Sequence, residues 1–541
     1  MKCLKSFLLL IILALPCMLV AQNGKKSFPN DGVLRFYRLA LPVTKSCFDN
    51  EFGCDNEAVM AFWRDAEDFM NRLYIPLGFC FDVIEDNALI MQERNDIDAN
   101  SYNAASFGTE LISEIVGVDS YDVGLWIALP ADFDNSGVAI AGGVYGKATK
   151  GSGYAQASVI TVAHEVGHLF GAVHVHDEGA ATEPGFGQSV MGYGTPADFF
   201  ALATIGDILS ASSERNAAYF SDEARTQLVG NDAGGNYVYG VKVGGNSAPV
   251  IDEKAMKLLY KIPQGALLSV DIAAADADND RLTYAFQQYK DGASFYAHAP
   301  SESCTVDFAP GYILFEGDDY YIPVDGTAVH EMSAGRYDFL AAVNDLPEEE
   351  DMTLEGMRKA PFVSRYALFE CAVEVVAGEP FIASLSPAKN EYSAGERVTL
   401  SWGVNANCFN ADTRLRITMS DDYGKSFKYL LADDVPALDG RCAVSLPGVN
   451  VGSIAVDFGG GAPELRAGVI RVEEIGGVAY TLTVLSPENG GGFTISGGTD
   501  TAVSNFDLSD SQMLYDLCGR KIDTKNLYHG IYIQGAKKVI K

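Results

Sequence analysis

The sequence predicts a chain of several domains: an α/β domain first, then two β-sandwiches, then a small β domain at the C-terminus. Three observations predict it. The chain has 541 residues, too many for a single hydrophobic core. Up to about residue 230, helical periodicity alternates with nearly continuous apolar runs, the pattern of strands covered on both faces. From Ala248 onward the runs are short, alternating and bounded by turn residues, as in sandwiches.

Composition narrows the function. The net charge is −33, which argues against nucleic acid, whose phosphates need a basic surface. Residues 1–21 read as a secretory signal peptide: Lys2 and Lys5 precede the apolar run Phe7–Leu15, and Leu19-Val-Ala21 offers a small residue before Gln22. Leu15-Pro16 is a poor lead into a lipidated Cys17. Eight cysteines come after this segment, in no metal spacing. In an exported protein they can pair, and Cys47 with Cys54 or Cys408 with Cys442 lie within one loop and one domain.

The elements run in order. Gly32–Val43 reads as a first strand. Asn56–Tyr74 carries Val59, Phe62, Trp63, Ala66, Phe69, Met70 and Leu73 at helical spacing. Phe79–Ile84 and Tyr121–Leu129 are further strands. Gly137–Tyr145 is Gly-rich and reads as an edge strand close to a substrate backbone.

Ser158–Phe170 is a helix bearing the densest chemistry in the chain. Four of the seven histidines fall between His164 and His176. The pattern H-E-x-x-H-x-x-G-x-x-H places His164, Glu165, His168, Gly171 and His174. On a helix, His164 and His168 leave the same face one turn apart, as two nitrogen ligands of a tetrahedral Zn2+ require. Glu165, between them, can reach a metal-bound water as general base. Gly171 can take a positive φ and reverse the chain, bringing His174 back as third ligand. Ser189-Val-Met-Gly-Tyr193 comes next. Met191 would supply a soft floor under the imidazoles, and it is equally compatible with ordinary packing. Asp198–Ala218 is a closing helix.

With these residues in view, 30–230 resembles a reprolysin-like (adamalysin-type) metzincin zinc metallopeptidase of the kind found in secreted bacterial proteins. The carrying residues are the histidine motif, Thr182-Glu-Pro-Gly-Phe-Gly-Gln-Ser-Val-Met-Gly-Tyr193, Tyr121-Asp-Val-Gly124 and Asn71-Arg-Leu-Tyr74. The resemblance implies a twisted, mostly parallel sheet with an antiparallel edge strand above a cleft, and endopeptidase activity on proteins or peptides. It implies structural roles for Gly171 and Met191, and for Tyr193 either an oxyanion-helping role or simple packing. The chain departs from the pattern just after His174. Adamalysins of eukaryotes place Asp there, whereas this chain has Val175-His176-Asp177. His176 is then a spare ligand or a surface residue, and Asp177 a candidate for the buried structural carboxylate.

Residues 231–247 are Gly/Asn-rich and read as a linker. A cadherin/immunoglobulin-like sandwich is expected over 248–378 and an immunoglobulin/fibronectin-like one over 379–484. Asp276-Ala-Asp-Asn-Asp280 resembles the inter-strand loop of cadherin-like modules, where it would hold Ca2+; a solvated acidic turn is the other reading. Residues 485–510 read as a second linker. The stretch 511–541, with Tyr515-Asp-Leu-Cys-Gly-Arg520 and Gly530-Ile-Tyr-Ile533, resembles the C-terminal sorting domain of type IX secretion. That implies delivery through the outer-membrane secretion machinery to the medium or cell surface. The expected function is a secreted zinc endopeptidase. The rival is a surface adhesin whose sandwiches bind a host or matrix partner, with a vestigial zinc domain.

Overall fold

The computed structural model describes residues 27–91, 101–129, 136–176, 182–183, 187–193, 198–217, 230–231, 237–289, 297–307, 314–316, 319–321, 334–424, 426–455, 464–484 and 491–499, with four short strands between 514 and 540. Backbone alone is described at 101–105, 214–217, 230–231, 237–239, 314–316, 319–321, 454–455, 464 and in those last strands.

The first sheet is built on β1 (Val33–Ala40), which pairs in parallel with β2 (Phe79–Val83) and with β3 (Val123–Gly124). Side chains alternate across β1. Tyr37 and Leu39 enter one core, Leu34 and Phe36 another, so both faces are buried. Helix α1 (Lys45–Asn50) leads to α2 (Asn56–Tyr74), capped by Asp55, whose side chain accepts the Glu57 N–H. The α2 apolar stripe packs into the first core. Asn71 bonds both backbone groups of Phe81, at 2.9 and 2.7 Å, and so locks α2 to β2. After α3 (Ser101–Val116), the run expected as one strand over 121–129 divides. Its first half is β3; its second, β4 (Trp126–Ile127), pairs with β6 (Gly153–Ala155). Asp122, buried beneath Arg38, holds the start of this run against β1 through an ion pair of 2.8 Å. At the edge of the β4–β6 sheet lies β5 (Gly137–Ala139), antiparallel to β6. The expected edge strand stops there, and Gly143–Tyr145 forms a buried 3-10 turn instead. Two helices complete this region: α4 (Val159–Leu169) and α5 (Leu202–Ala217).

The expected linker over 231–247 is corrected. Within it, β8 (Tyr237–Lys242) pairs antiparallel with β1, and with β7 (Gly230–Asn231). Its glycines allow close backbone approach: a Cβ at Gly240 would stand 2.8 Å from Val33. The β region beyond it packs on the first domain and is not a separate bead. A short helix, Leu354–Lys359, covers the second face of the first sheet, with Met352, Leu354, Met357 and Val363 packed on Leu34, Phe36 and Cys80. On the other side Ala285, Tyr289, Ala297, Leu340 and Ala342 join the core that contains α2 and α4.

The two expected sandwiches are not independent either. Leu259–Pro263, Tyr366–Val376, Gly335–Leu346 and Arg281–Gln288 form one four-stranded sheet. Leu267–Asp271, however, pairs with Ala479–Leu482, and a six-stranded sheet crosses the expected boundary at 378/379. Local alternation marks a strand but not its partner, so the expected boundary falls between strands that share a sheet. The expected linker over 485–510 contains Thr494–Ser496, a strand parallel to Glu391–Ser393, with Phe493 and Ile495 in the core. Its glycines serve a backbone crossing, since a Cβ at Gly492 would meet the Gly468 carbonyl at 1.9 Å. Neither expected disulfide forms, because Cys54, Cys408 and Cys442 carry free thiols. Cys47 lies on the buried face of α1 while the exposed Cys54 thiol turns toward Asp49. The last four short strands form one antiparallel sheet. Among the described residues no helix is long and apolar enough to cross a membrane; the expected signal segment lies outside them.

Candidate metal centre

The centre is seated from below. Ser158 caps α4, its hydroxyl accepting the Thr161 N–H. Phe170, at the far end, is buried among Tyr37, Phe79 and Phe81, with ring centroids 5.0, 5.1 and 6.0 Å away. Burying such a ring is worth about 1.5–3 kcal/mol, which pins the helix to the sheet. Tyr74 donates its hydroxyl to the Ala163 carbonyl at 3.0 Å, fixing α4 against α2. Gly171 has φ of +99°, and the chain reverses there.

That reversal brings His164, His168 and His174 together. One ring nitrogen from each lies within 4.8 Å of the others. Nε2 of His168 and Nε2 of His174 are 3.0 Å apart. The other nitrogens of two rings are committed: His164 Nδ1 is 2.7 Å from the Val190 carbonyl, and His168 Nδ1 is 2.8 Å from the Ala172 carbonyl. A carbonyl only accepts, so each Nδ1 carries the proton and each Nε2 presents a lone pair inward. Burial first, then the neighbouring histidines, pushes His164 down to about 3, so it is a neutral donor. Three imidazole nitrogens gathered at one point fit Zn2+.

Glu165 is buried at 4% exposure, and burial pushes its carboxyl up to about 8. A cation beside it would draw that value back down. Its Oε2 has no hydrogen-bond partner among the described residues. The side chain fills the space over β5, where a Cβ at Gly137 would stand 2.3 Å from Oε1. From sequence, the glycines of this strand are expected to admit a substrate backbone; at Gly137 the neighbour that needs the room is Glu165. Met191 is fully buried, and a Cβ at Gly167 would meet its sulfur at 2.7 Å. The thioether therefore lies directly against α4 between the two helical histidines. Tyr193 is 56% exposed, with its hydroxyl 2.9 Å from His174 Nε2. His176 is half-buried and stacks on His174 at 5.1 Å and 13°; it is outside the group of three.

Asp177 lies outside the described residues. A buried carboxylate that sequence reasoning missed is Glu183, 1% exposed, which accepts the Gln188 N–H at 2.7 Å and the Ser189 hydroxyl at 2.6 Å. Burial raises its pKa. Its signal was an acidic residue inside the otherwise uncharged Thr182–Tyr193 segment.

Residues 43–221 match the model of metallo-peptidase family M12, Reprolysin_5. This stretch is a metallopeptidase domain. The family is zinc-dependent, in agreement with the donor set, and its chemistry implies protein or peptide substrates. No curated protein matches the chain. Among solved structures, a chaperone-substrate complex is similar over 33% of this chain and 33% of that chain, at 17% identity and TM-score 0.25. Fibronectin(III)-like modules of CbhA from Clostridium thermocellum are similar over 47% and 96%, at 9% and 0.14. Drosophila N-cadherin EC1-4 is similar over 50% and 56%, at 12% and 0.15. Scores this low carry no argument about the β regions.

A second cluster lies in the β region. Carboxylate oxygens of Asp276, Asp280 and Asp345 are within 4.8 Å of one another. Asp276 Oδ1 accepts the Asp278 and Asp280 amides, at 2.8 and 3.2 Å. Its Oδ2 is buried with no partner among the described residues. Asp345 is fully buried, and burial above all, with the charges of Asp280 and Asp276, pushes its carboxyl up to about 7.

Proposed function

We propose that this chain is a metzincin-type endopeptidase, with His164, His168 and His174 holding Zn2+ and Glu165 acting as general base. The observation that carries the reading is the convergence of three imidazole nitrogens next to a buried carboxylate. Bound zinc supplies a Lewis acid that polarises a carbonyl and acidifies water. Glu165 takes the proton of the attacking water and delivers it to the leaving amide nitrogen. Its buried seat excludes competing water, and the missing side chain at Gly137 makes the space that the carboxylate occupies. Tyr193, exposed beside His174, donates its hydroxyl to the developing oxyanion. An extended substrate adds to the free edge of β5. The test is digestion of a peptide library with and without a chelator, read by mass spectrometry. Cleavage that stops with the chelator and returns with zinc supports the reading; chelator-insensitive cleavage contradicts it.

We further propose that the enzyme acts outside the cell, on the basis of the signal-like residues 1–21 and the sorting-like C-terminus. Removal of 505–541 is expected to leave activity intact and strand the protein in the periplasm, checked by cell fractionation. Normal delivery of the truncated chain rejects it. The aspartate cluster we propose as a Ca2+ site, supported by the partnerless Asp276 oxygen and the burial of Asp345. Calcium then raises the thermal midpoint of the wild type but not of Asp345→Asn; equal shifts in both contradict it.

A further inference from the structure

We infer that the sheet containing Arg281–Gln288 and Gly335–Leu346 belongs to the catalytic unit and that Gln287 is a positioning residue for the metal site. The inference rests on the histidine-cluster reading above. Two ties run from this region to the two ends of the segment that carries Met191. At one end, the buried Gln287 side chain accepts the Leu202 N–H at 2.7 Å. Leu202 opens α5, and the first amides of a helix have no partner within it. Gln287 also donates from Nε2 to the His298 carbonyl at 2.7 Å, which fixes the orientation of its amide. At the other end, the Ala297 N–H donates to the Glu183 carboxylate, and Glu183 holds Gln188 and Ser189.

Val190 lies between the ties. Its N–H donates to the Phe199 carbonyl at 3.0 Å, and its carbonyl accepts from His164 Nδ1. A continuous set of contacts thus leads from Gln287 through Leu202, the buried residues Phe199–Ala201 and Val190 to a metal-binding ring. The surrounding interface is apolar, since Ala285, Tyr289, Ala297, Leu340 and Ala342 share a core with α4. Outer partners of metal-binding histidines set ring orientation and basicity, and losing one typically costs about 10–100-fold in metal affinity or activity. The second tie reaches the same segment at its other end, so the β region holds both ends of the stretch that carries Met191.

The test uses the full chain. Gln287→Met keeps the volume and removes both hydrogen bonds. Zinc affinity is measured by competition with a chromophoric chelator, and site geometry by the absorption spectrum after cobalt substitution. The expected result is zinc affinity weakened by about 10-fold and a changed cobalt spectrum. A Gln287 that merely supports the fold would lower the thermal midpoint and leave affinity and spectrum at wild-type values; that result overturns the inference. If the variant does not fold, hydrogen exchange on the wild type decides. Coupling is reciprocal, so zinc loading must slow exchange at the Leu202 and Ala297 amides, and unchanged exchange at both overturns the inference. A wild type that takes up no metal overturns the histidine-cluster reading itself and the inference with it.

Discussion

The histidine cluster and the aspartate cluster each gather three side chains around one point, yet they are assembled in opposite ways. The first is written in one helix and its reversal, His164 to His174, and only a positive φ at Gly171 is needed to close it. The second takes Asp276 and Asp280 from one loop and Asp345 from the end of a strand paired to the strand after that loop. Helical spacing and one chain reversal gather the first set within eleven residues. Strand register gathers the second, and one residue of slip would turn Asp345 to the other face.

That difference predicts different failures. His164→Ala with His168→Ala is expected to abolish zinc binding altogether while the fold persists, since the sheet and α2 hold α4 in place. Elemental analysis measures it, and full zinc content would break the assignment. Gly137→Ala comes next. The added Cβ must displace the Glu165 carboxylate, and a misplacement of about 1 Å can cost about 100-fold in rate. Turnover should fall by that order with zinc content unchanged; wild-type turnover would place the working position of Glu165 elsewhere. A calcium-selective chelator sharpens the contrast between the clusters. It should lower the thermal midpoint while hydrolysis at low temperature continues, whereas a zinc-selective chelator should stop hydrolysis.

Legibility in the sequence divides along the same line. The α2 stripe and the histidine-bearing helix depend on contacts a few residues apart, and the sequence predicts them; Met191 and Tyr193 meet that helix and His174 across about twenty residues and were legible through the motif. Tyr121–Leu129 is legible as strand, but not its division between two sheets, because an apolar run does not reveal which neighbour each half meets. The linkers expected at 231–247 and 485–510 fail for one reason. Gly-rich composition signals mobility and close backbone packing alike, and at Gly240 and Gly492 it is packing. Gln287 and Asp345 were out of reach because their roles rest on partners distant in sequence, whereas Glu183 bonds Gln188 and Ser189 close by and was marked only by being the lone acid of its segment.

The smallest effect concerns Glu67, on α2. Burial pushes its carboxyl up from 4.5 to about 7, although it accepts the Val83 N–H at 2.8 Å. A raised carboxyl pKa means the folded state keeps a proton that the unfolded state releases, so stability declines as pH rises from about 4.5 through about 7. Glu67→Gln keeps an acceptor for Val83 and removes the titration. Its thermal midpoint should match the wild type near pH 4 and exceed it near pH 8. An equal midpoint at both pH values would show that water reaches the carboxylate.

The central claim is tested most directly by Glu165→Gln. The change keeps size and helix propensity nearly constant and leaves all three histidines in place. Positioned proton transfer is typically worth about 10²–10⁴-fold. The expected result is a folded, zinc-loaded variant that cleaves a peptide library slower by at least that factor. Cleavage by the variant at the wild-type rate would contradict the assignment of Glu165 as the base, and with it the catalytic reading.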